Sequence, residues 1–376
     1  MRVALLTDGI FPYVIGGMQK HSFYLAKYFA LNQIHVDLYH TSKDPVNADR
    51  LDCFSLEERE YISSYAFGFP VKDHFPGHYI REMYAYSSIL FNKLKENPPV
   101  DFIYVQGLCG MKLFENRIQI ATPTGVNFHG LEMFQKAANL RSKLEQFLFR
   151  RPVLKSLKNA EVVFSLGGKL TDLLIQQGIP KEKISEVSIG IDSSWINSGL
   201  KRTHSGKRTF VFIGRYERRK GIEELLYVLN KIVVTDFQFH FIGAIPDEKK
   251  INRANLHFWG NISDPEKIKA VLKEADVLVC PSYSEGMPTV ILEAMASGLA
   301  IIASDVGAVS EQVSAENGIL VRPGNTDDLE NAINKMLQID TLILNRMKEH
   351  SVDVIRQQFL WEAIIARNIS EIQKTL

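Results

Sequence analysis

Short runs of β-branched and aromatic residues alternate with amphipathic stretches along this chain, and the alternation is carried out twice. In the first half the extended runs fall at residues 2–7, 35–39, 102–106, 124–128 and 162–165, with helical periodicity at 18–31, 79–97 and 140–158. In the second half they fall at 209–213, 237–242, 256–259, 277–281 and 300–304, with helices at 222–233, 265–274 and 289–297. Strands separated by helix-length crossovers form parallel sheets covered by helices, because a parallel neighbour cannot be reached through a tight turn. Between the two series, residues 192–207 are a polar stretch rich in serine and glycine, as suits a linker. The expectation is an α/β protein of two domains. Residues 1–195 form the first and 196–356 the second, and a C-terminal helix at 357–376 packs back on the first.

Composition agrees and excludes several classes. A chain of 376 residues is long enough for two cores, and 45% apolar with 23% charged residues is the balance of a globular protein. With 44 Lys and Arg against 43 Asp and Glu there is no global field to attract nucleic acid, so any anion site must be local. Cys53, Cys109 and Cys280 lie far apart without metal-ligand spacing, which suits a reducing cytoplasm. The opening apolar run is too short for a signal peptide or a membrane span and reads as a core strand.

Three segments carry chemistry. The loop from Asp8 to Gly17 leaves the first strand with paired glycines, Gly16-Gly17, ahead of a helix. Exposed amides and the helix dipole there favour an anion, although a plain strand-to-helix turn would read the same way. Its spacing is not GxGxxG, so the dinucleotide fingerprint of a nicotinamide oxidoreductase is missing. The second segment, Gly214-Arg215-Tyr216-Glu217-Arg218-Arg219-Lys220-Gly221, opens a cationic turn after the first strand of the second half. Arg215 and Lys220 suit a diphosphate at the carboxyl end of a sheet, whereas Arg218 and Arg219 read as solvated. The third places Glu285 in a loop and Glu293 inside the helix begun at Pro288. Two carboxylates so placed accept hydrogen bonds from a polyol.

The Glu285 and Glu293 pair, the Gly214-Arg215 to Lys220-Gly221 turn, the Gly16-Gly17 loop and the Phe128-His129-Gly130 segment together resemble family 4 glycosyltransferases. These are the group 1 retaining enzymes, built as two Rossmann-like domains facing each other across a cleft, the GT-B architecture. The resemblance runs from the first strand to Glu311, and its second-half motifs are the specific ones; residues 43–97 carry no assignable motif. It implies that Arg215 and Lys220 hold the donor diphosphate, that Glu293 takes the ribose hydroxyls and that Glu285 contacts the sugar near the reacting carbon. Met287 and Thr289 join the donor-binding positions, the Gly16-Gly17 amides approach the phosphates, and His129 touches the sugar. Pro288 departs from members with an N–H at that position and cannot donate a hydrogen bond.

The resemblance implies transfer of a hexose-type sugar, with retention, from a UDP-sugar or GDP-sugar to a glycan or lipid-linked acceptor. Neither a metal nor a further cofactor is expected, because cations and helix N-termini stabilise the departing diphosphate. A sugar-nucleotide epimerase of the same fold and an inactive nucleotide-sugar-binding partner subunit are the competing readings. Between Lys136 and Lys158 seven cations face one acid, Glu145, with leucines and phenylalanine interleaved. That stretch suits either a domain helix or peripheral contact with the anionic inner face of a membrane, and Pro152 is expected to interrupt it.

Overall fold

The computed structural model describes residues 1–42, 51–70, 77–196, 207–262 and 264–376. Residues 197–206 of the polar stretch lie outside them. The chain forms two compact units, one of Met1–Phe134, Arg141–Gly190 and Trp361–Leu376, the other of Gln135–Leu140 and Ile191–Leu360.

The first unit runs β1 (Arg2–Leu6), α1 (Gly17–Leu31), β2 (His35–Thr41), α2 (Leu56–Arg59), β3 (Ile62–Phe67), α3 (His78–Glu96), β4 (Phe102–Gln106), α4 (Met111–Glu115), β5 (Thr124–Asn127), α5 (Leu140–Asn159), β6 (Val162–Ser165), α6 (Lys169–Gln176) and β7 (Ile184–Glu186). All strands pair in parallel in the order β3-β2-β1-β4-β5-β6-β7. Apart from Gln106 at the end of β4 and the half-buried Arg2 at the start of β1, the central strands are apolar and buried, as expected for a sheet covered on both faces. Pro152 lies inside a continuous α5 instead of interrupting it. Burial changes at that point: no residue of α5 before Pro152 is buried, whereas Val153, Ser156 and Leu157 beyond it are.

The second unit runs β8 (Arg208–Ile213), α7 (Ile222–Lys231), β9 (Phe237–Ile242), β10 (Leu256–Phe258), α8 (Pro265–Glu274), β11 (Val277–Cys280), α9 (Thr289–Ala296), β12 (Ala300–Ser304), α10 (Val309–Gln312), β13 (Gly318–Val321), α11 (Thr326–Gln338) and α12 (Thr341–Val354). Its sheet is again parallel, ordered β10-β9-β8-β11-β12-β13. Phe239 stacks on Phe210 at 5.9 Å and on Phe241 at 4.6 Å between ring centroids, at the heart of its core.

The chain leaves the first unit after Gly190 and re-enters it at Trp361, a few residues from the expected 195 and 357. Ile191 and Leu360 form a parallel bridge that holds the two strands of the connection side by side. The last helix, α13 (Trp361–Gln373), belongs to the first unit. Trp361 is fully buried there, stacked on Tyr24 and Tyr28 at 5.6 and 5.7 Å, and a Cβ on Gly190 would strike its ring. Among the described residues no helix is long and apolar enough to cross a membrane.

Three strands lie beyond those expected: β3, β7 and β13. Each is an edge strand. An edge is covered less completely, so its residues are mixed and its apolar pattern is weak; β3, for example, has no buried residue.

Candidate donor site

In an open parallel sheet, strands on either side of the point where the winding reverses send their following loops in opposite directions. That opening at the carboxyl ends is where ligands bind. In the second unit the reversal lies between β8 and β11. The Gly214–Lys220 turn follows β8 and the Pro281–Glu285 loop follows β11, so the two cationic and acidic segments meet there.

Close approach of the two segments depends on glycine. Gly221 has φ 67°, and a Cβ on it would strike the Pro281 carbonyl oxygen. The Tyr283 amide donates to the Arg219 carbonyl at 2.8 Å, fastening loop to turn. Lys220 Nζ then donates to Glu285 Oε1 at 2.6 Å, and Ser282 Oγ donates to the same oxygen at 2.7 Å. Arg219 reaches the other carboxylate oxygen at 3.4 Å and the Ser284 carbonyl at 3.0 Å. Burial pushes the Glu285 carboxyl up, but the Lys220 and Arg219 charges, with hydrogen bonds from Lys220 and Ser282, outweigh it and hold it below the ordinary carboxylate value. Glu285 is therefore an ionised, buried carboxylate with lone pairs to spare.

Arg218 and Arg219 do not simply face water. Arg218 grips Glu224 with both terminal nitrogens, lies over the Tyr283 ring at 4.9 Å, and shares Glu224 with the Tyr283 hydroxyl. It braces the turn. Arg215 is the contrast: its side chain is 76% exposed and touches Glu217 at 3.0 Å, so little has to be broken to redirect it.

Glu293 is buried on α9, and Met287 is buried in the loop before it. Thr289 opens α9. Pro288 caps that helix without a side-chain hydrogen bond, and its carbonyl accepts from Gln312 at 3.2 Å. Gly307, at φ 56°, brings the loop after β12 against the Glu285 and Gly286 carbonyl oxygens, and the Ala308 amide donates to Gly286 at 2.8 Å. Two contacts that sequence reasoning missed are Ser282 and Gln135. Gln135 Nε2 donates to the Glu285 carbonyl at 2.6 Å, and residues 135–140 group with the second unit.

The first unit gathers a different set of groups at its own reversal, between β1 and β4. Gly16 caps α1, and Gly17 starts it with open space where a Cβ would stand. Asp8, at the head of that loop, accepts from Gln19 Nε2 at 2.7 Å, and burial pushes its carboxyl up to about 6. His129 follows β5 with φ 58°, a conformation that costs free energy for a residue with a side chain and is held by its surroundings. Its amide donates to Asn127 Oδ1 at 2.8 Å and its Nε2 donates to Gln106 Oε1 at 2.7 Å. Gln106 Nε2 in turn donates to His21 Nδ1 at 3.0 Å. Burial lowers the His129 imidazole to about 4 and holds His21 well below the ordinary histidine value, so both rings are neutral. With Nε2 carrying the proton, His129 presents Nδ1 as an acceptor. Nothing in the linear sequence signals His21 and Gln106, which meet His129 only because β4 lies between β1 and β5.

Among the described residues no group of three or more His, Cys, Asp or Glu side chains converges as metal ligands do. Cys109 and Cys280 are buried, and all three cysteines are free.

Comparison with known proteins identifies the family. The family described as Glycosyltransferase Family 4 matches residues 15–195, and that described as Glycosyl transferases group 1 matches residues 207–339. The Campylobacter jejuni N,N'-diacetylbacillosaminyl-diphospho-undecaprenol alpha-1,3-N-acetylgalactosaminyltransferase is 28% identical over 56% of each chain. Sucrose-phosphate synthase from Thermosynechococcus elongatus superimposes with a TM-score of 0.81 at 20% identity, covering 100% of this chain and 98% of that one. An Anabaena protein crystallised with UDP has a TM-score of 0.71 at 17% identity, covering 100% of both chains. The chain spans about half or less of the length of the curated relatives it matches. With two Rossmann-like units, matches to both family descriptions and the cationic turn set against Glu285, the chain belongs to the group 1, family 4 glycosyltransferases.

Proposed function

We propose that this chain transfers a hexose-type sugar from a nucleotide-diphosphate sugar to a glycan or lipid-linked acceptor, with retention of the anomeric configuration. The observation that carries the reading is the Lys220–Glu285–Arg219 cluster at the sheet reversal of the second unit. Departure of a nucleoside diphosphate builds negative charge on its phosphates, and Lys220 with the exposed Arg215 supplies positive charge without a metal. Lys220 stays neutralised by Glu285 until the anion arrives, then is shared between them. Glu285, kept ionised, accepts a sugar hydroxyl, and Glu293, with Thr289 and Met287 near it in sequence, serves the ribose end. In the first unit the Gly16-Gly17 amides are assigned to the phosphates and the neutral His129 imidazole to a sugar hydroxyl.

The UDP in the Anabaena structure supports a uridine nucleotide as the first donor to try. The Campylobacter relative, whose name specifies a diphospho-undecaprenol acceptor, supports a lipid-linked acceptor. The test is a panel of UDP- and GDP-sugars assayed for release of nucleoside diphosphate with a chelator present, followed by NMR of the product anomer. One donor is expected to turn over with its anomeric configuration kept. Inversion, a strict need for divalent metal, or conversion of the nucleotide sugar to its epimer with no diphosphate released would each overturn the proposal.

A further inference from the structure

The first three turns of α5 are not part of any core. Leu140, Leu144, Phe147 and Leu148 are exposed to 85%, 67%, 65% and 40%, and they recur at the spacing that places them along one face of a helix. A run of this kind costs free energy in water and is normally turned inward. Here only the last two turns, from Val153, are turned inward.

Cations line the same turns. Arg141, Lys143, Arg150 and Arg151 are all exposed. The sole acid of the stretch, Glu145, is paired with Arg141 at 3.1 Å, and Arg150 donates to the Met133 carbonyl at 2.9 Å and lies over the Phe134 ring, which leaves the exposed Lys143 and Arg151 as the uncompensated charge beside the apolar face. Phe149, on the side facing the unit, packs near Tyr79 of α3 at 6.1 Å between centroids, which fixes which face is left outward. An apolar stripe flanked by cations matches a surface that is apolar at depth and negatively charged at its rim. That is an anionic lipid leaflet and not a protein partner of mixed charge.

We propose that the first three turns of α5 dock on an anionic membrane, with Leu144, Phe147 and Leu148 entering the boundary between headgroups and acyl chains and Lys143 and Arg151 meeting lipid phosphates. Docking would place the protein where a lipid-linked acceptor resides. It stands or falls separately from sugar transfer, because none of these side chains belongs to the donor site.

The test is co-flotation of the full chain with vesicles of phosphatidylglycerol and phosphatidylcholine, and with vesicles of phosphatidylcholine alone. Binding to the anionic vesicles is expected at low salt, falling severalfold as salt is raised. The double variant Leu144→Ser, Phe147→Ser should bind on the order of tenfold or more weakly. Lys143→Gln with Arg151→Gln should lose roughly twenty-fivefold on anionic vesicles, at about fivefold per charge, and nothing further on neutral ones. Donor turnover with a water-soluble acceptor, and circular dichroism, should be unchanged in both. No binding by the wild type at low salt, equal binding to both vesicle types, or a concentration-dependent dimer abolished by Phe147→Ser would overturn the proposal. The last result would assign the face to a second copy.

Discussion

The two sheet reversals are built alike and filled differently. In the second unit the opening holds opposite charges in contact, Lys220 and Arg219 on Glu285 and Arg218 on Glu224. In the first it holds neutral groups in a hydrogen-bonded row, His129, Gln106 and His21. A site that must accept a diphosphate needs cations that can be re-paired at small cost, so it keeps them against carboxylates. A site that must meet a sugar hydroxyl needs a fixed lone pair, which a buried neutral imidazole offers and a charged one does not. One fold thus supplies either kind of chemistry, depending on what its loops carry.

The largest expected effect falls on the charged side. Lys220→Ala should lower turnover on the order of a hundredfold. It should also destabilise the second unit by about 2 kcal/mol, because Glu285 loses its closest counter-charge in a buried setting. Lys220→Arg should recover most of the stability and only part of the rate. A steady-state assay beside a denaturant melt measures both, and an unchanged rate in Lys220→Ala would erase the distinction between the two openings.

The next effect is a pH dependence that separates them. His129 has a folded value depressed to about 4, so its contribution is complete above the ordinary histidine value near 6.5 and is lost as pH falls through 4. Glu285 is depressed from a carboxylate value of 4.5, so its contribution is complete above 4.5 and is lost as pH falls below it. Stability should fall by about 2 kcal/mol between pH 6.5 and 4 on account of His129, and His129→Gln should remove that share, leaving the share of the buried His21, while Glu285→Gln leaves both in place. Melts across that range decide it; a slope undiminished in His129→Gln contradicts the neutral assignment.

The smallest effect has the opposite sign. The Asp8 carboxyl is raised to about 6, so its protonated form favours the fold below the ordinary value near 3.8, and that contribution is lost as pH rises through 6. Asp8→Asn keeps the oxygen that accepts from Gln19 and should stabilise the protein by about 1 kcal/mol at pH 7, the gain vanishing below about pH 4. A gain that persists at low pH would place its cause elsewhere.

Much of this was legible in the sequence, and what was not shares one cause. The central strands and long helices carry a strong period because both faces or one stripe are buried. The edge strand β3 (Ile-Ser-Ser-Tyr-Ala-Phe) does not, because every one of its residues keeps some contact with water. The cationic turn and Glu285 were each readable from local residue types. Their direct contact was not, since it depends on two loops 65 residues apart meeting at the reversal. For the same reason Arg218 read as a solvated cation although Glu224 and Tyr283 hold it, and His21, which Gln106 joins to His129, went unread. Pro152 misled in the other direction. A proline lacks one donor, but a helix with water on several sides tolerates the loss.

The central claim is that the turn from Arg215 to Lys220 receives a diphosphate. Calorimetric titration of UDP and GDP into the wild type, Arg215→Ala and Lys220→Ala, all with chelator present, tests it most directly. The wild type should bind one of the two nucleotides with a simple one-site isotherm, and each variant should bind it roughly tenfold or more weakly, as expected for loss of a charge-assisted contact. Equal affinity in all three proteins, or binding that disappears with the chelator, would contradict it.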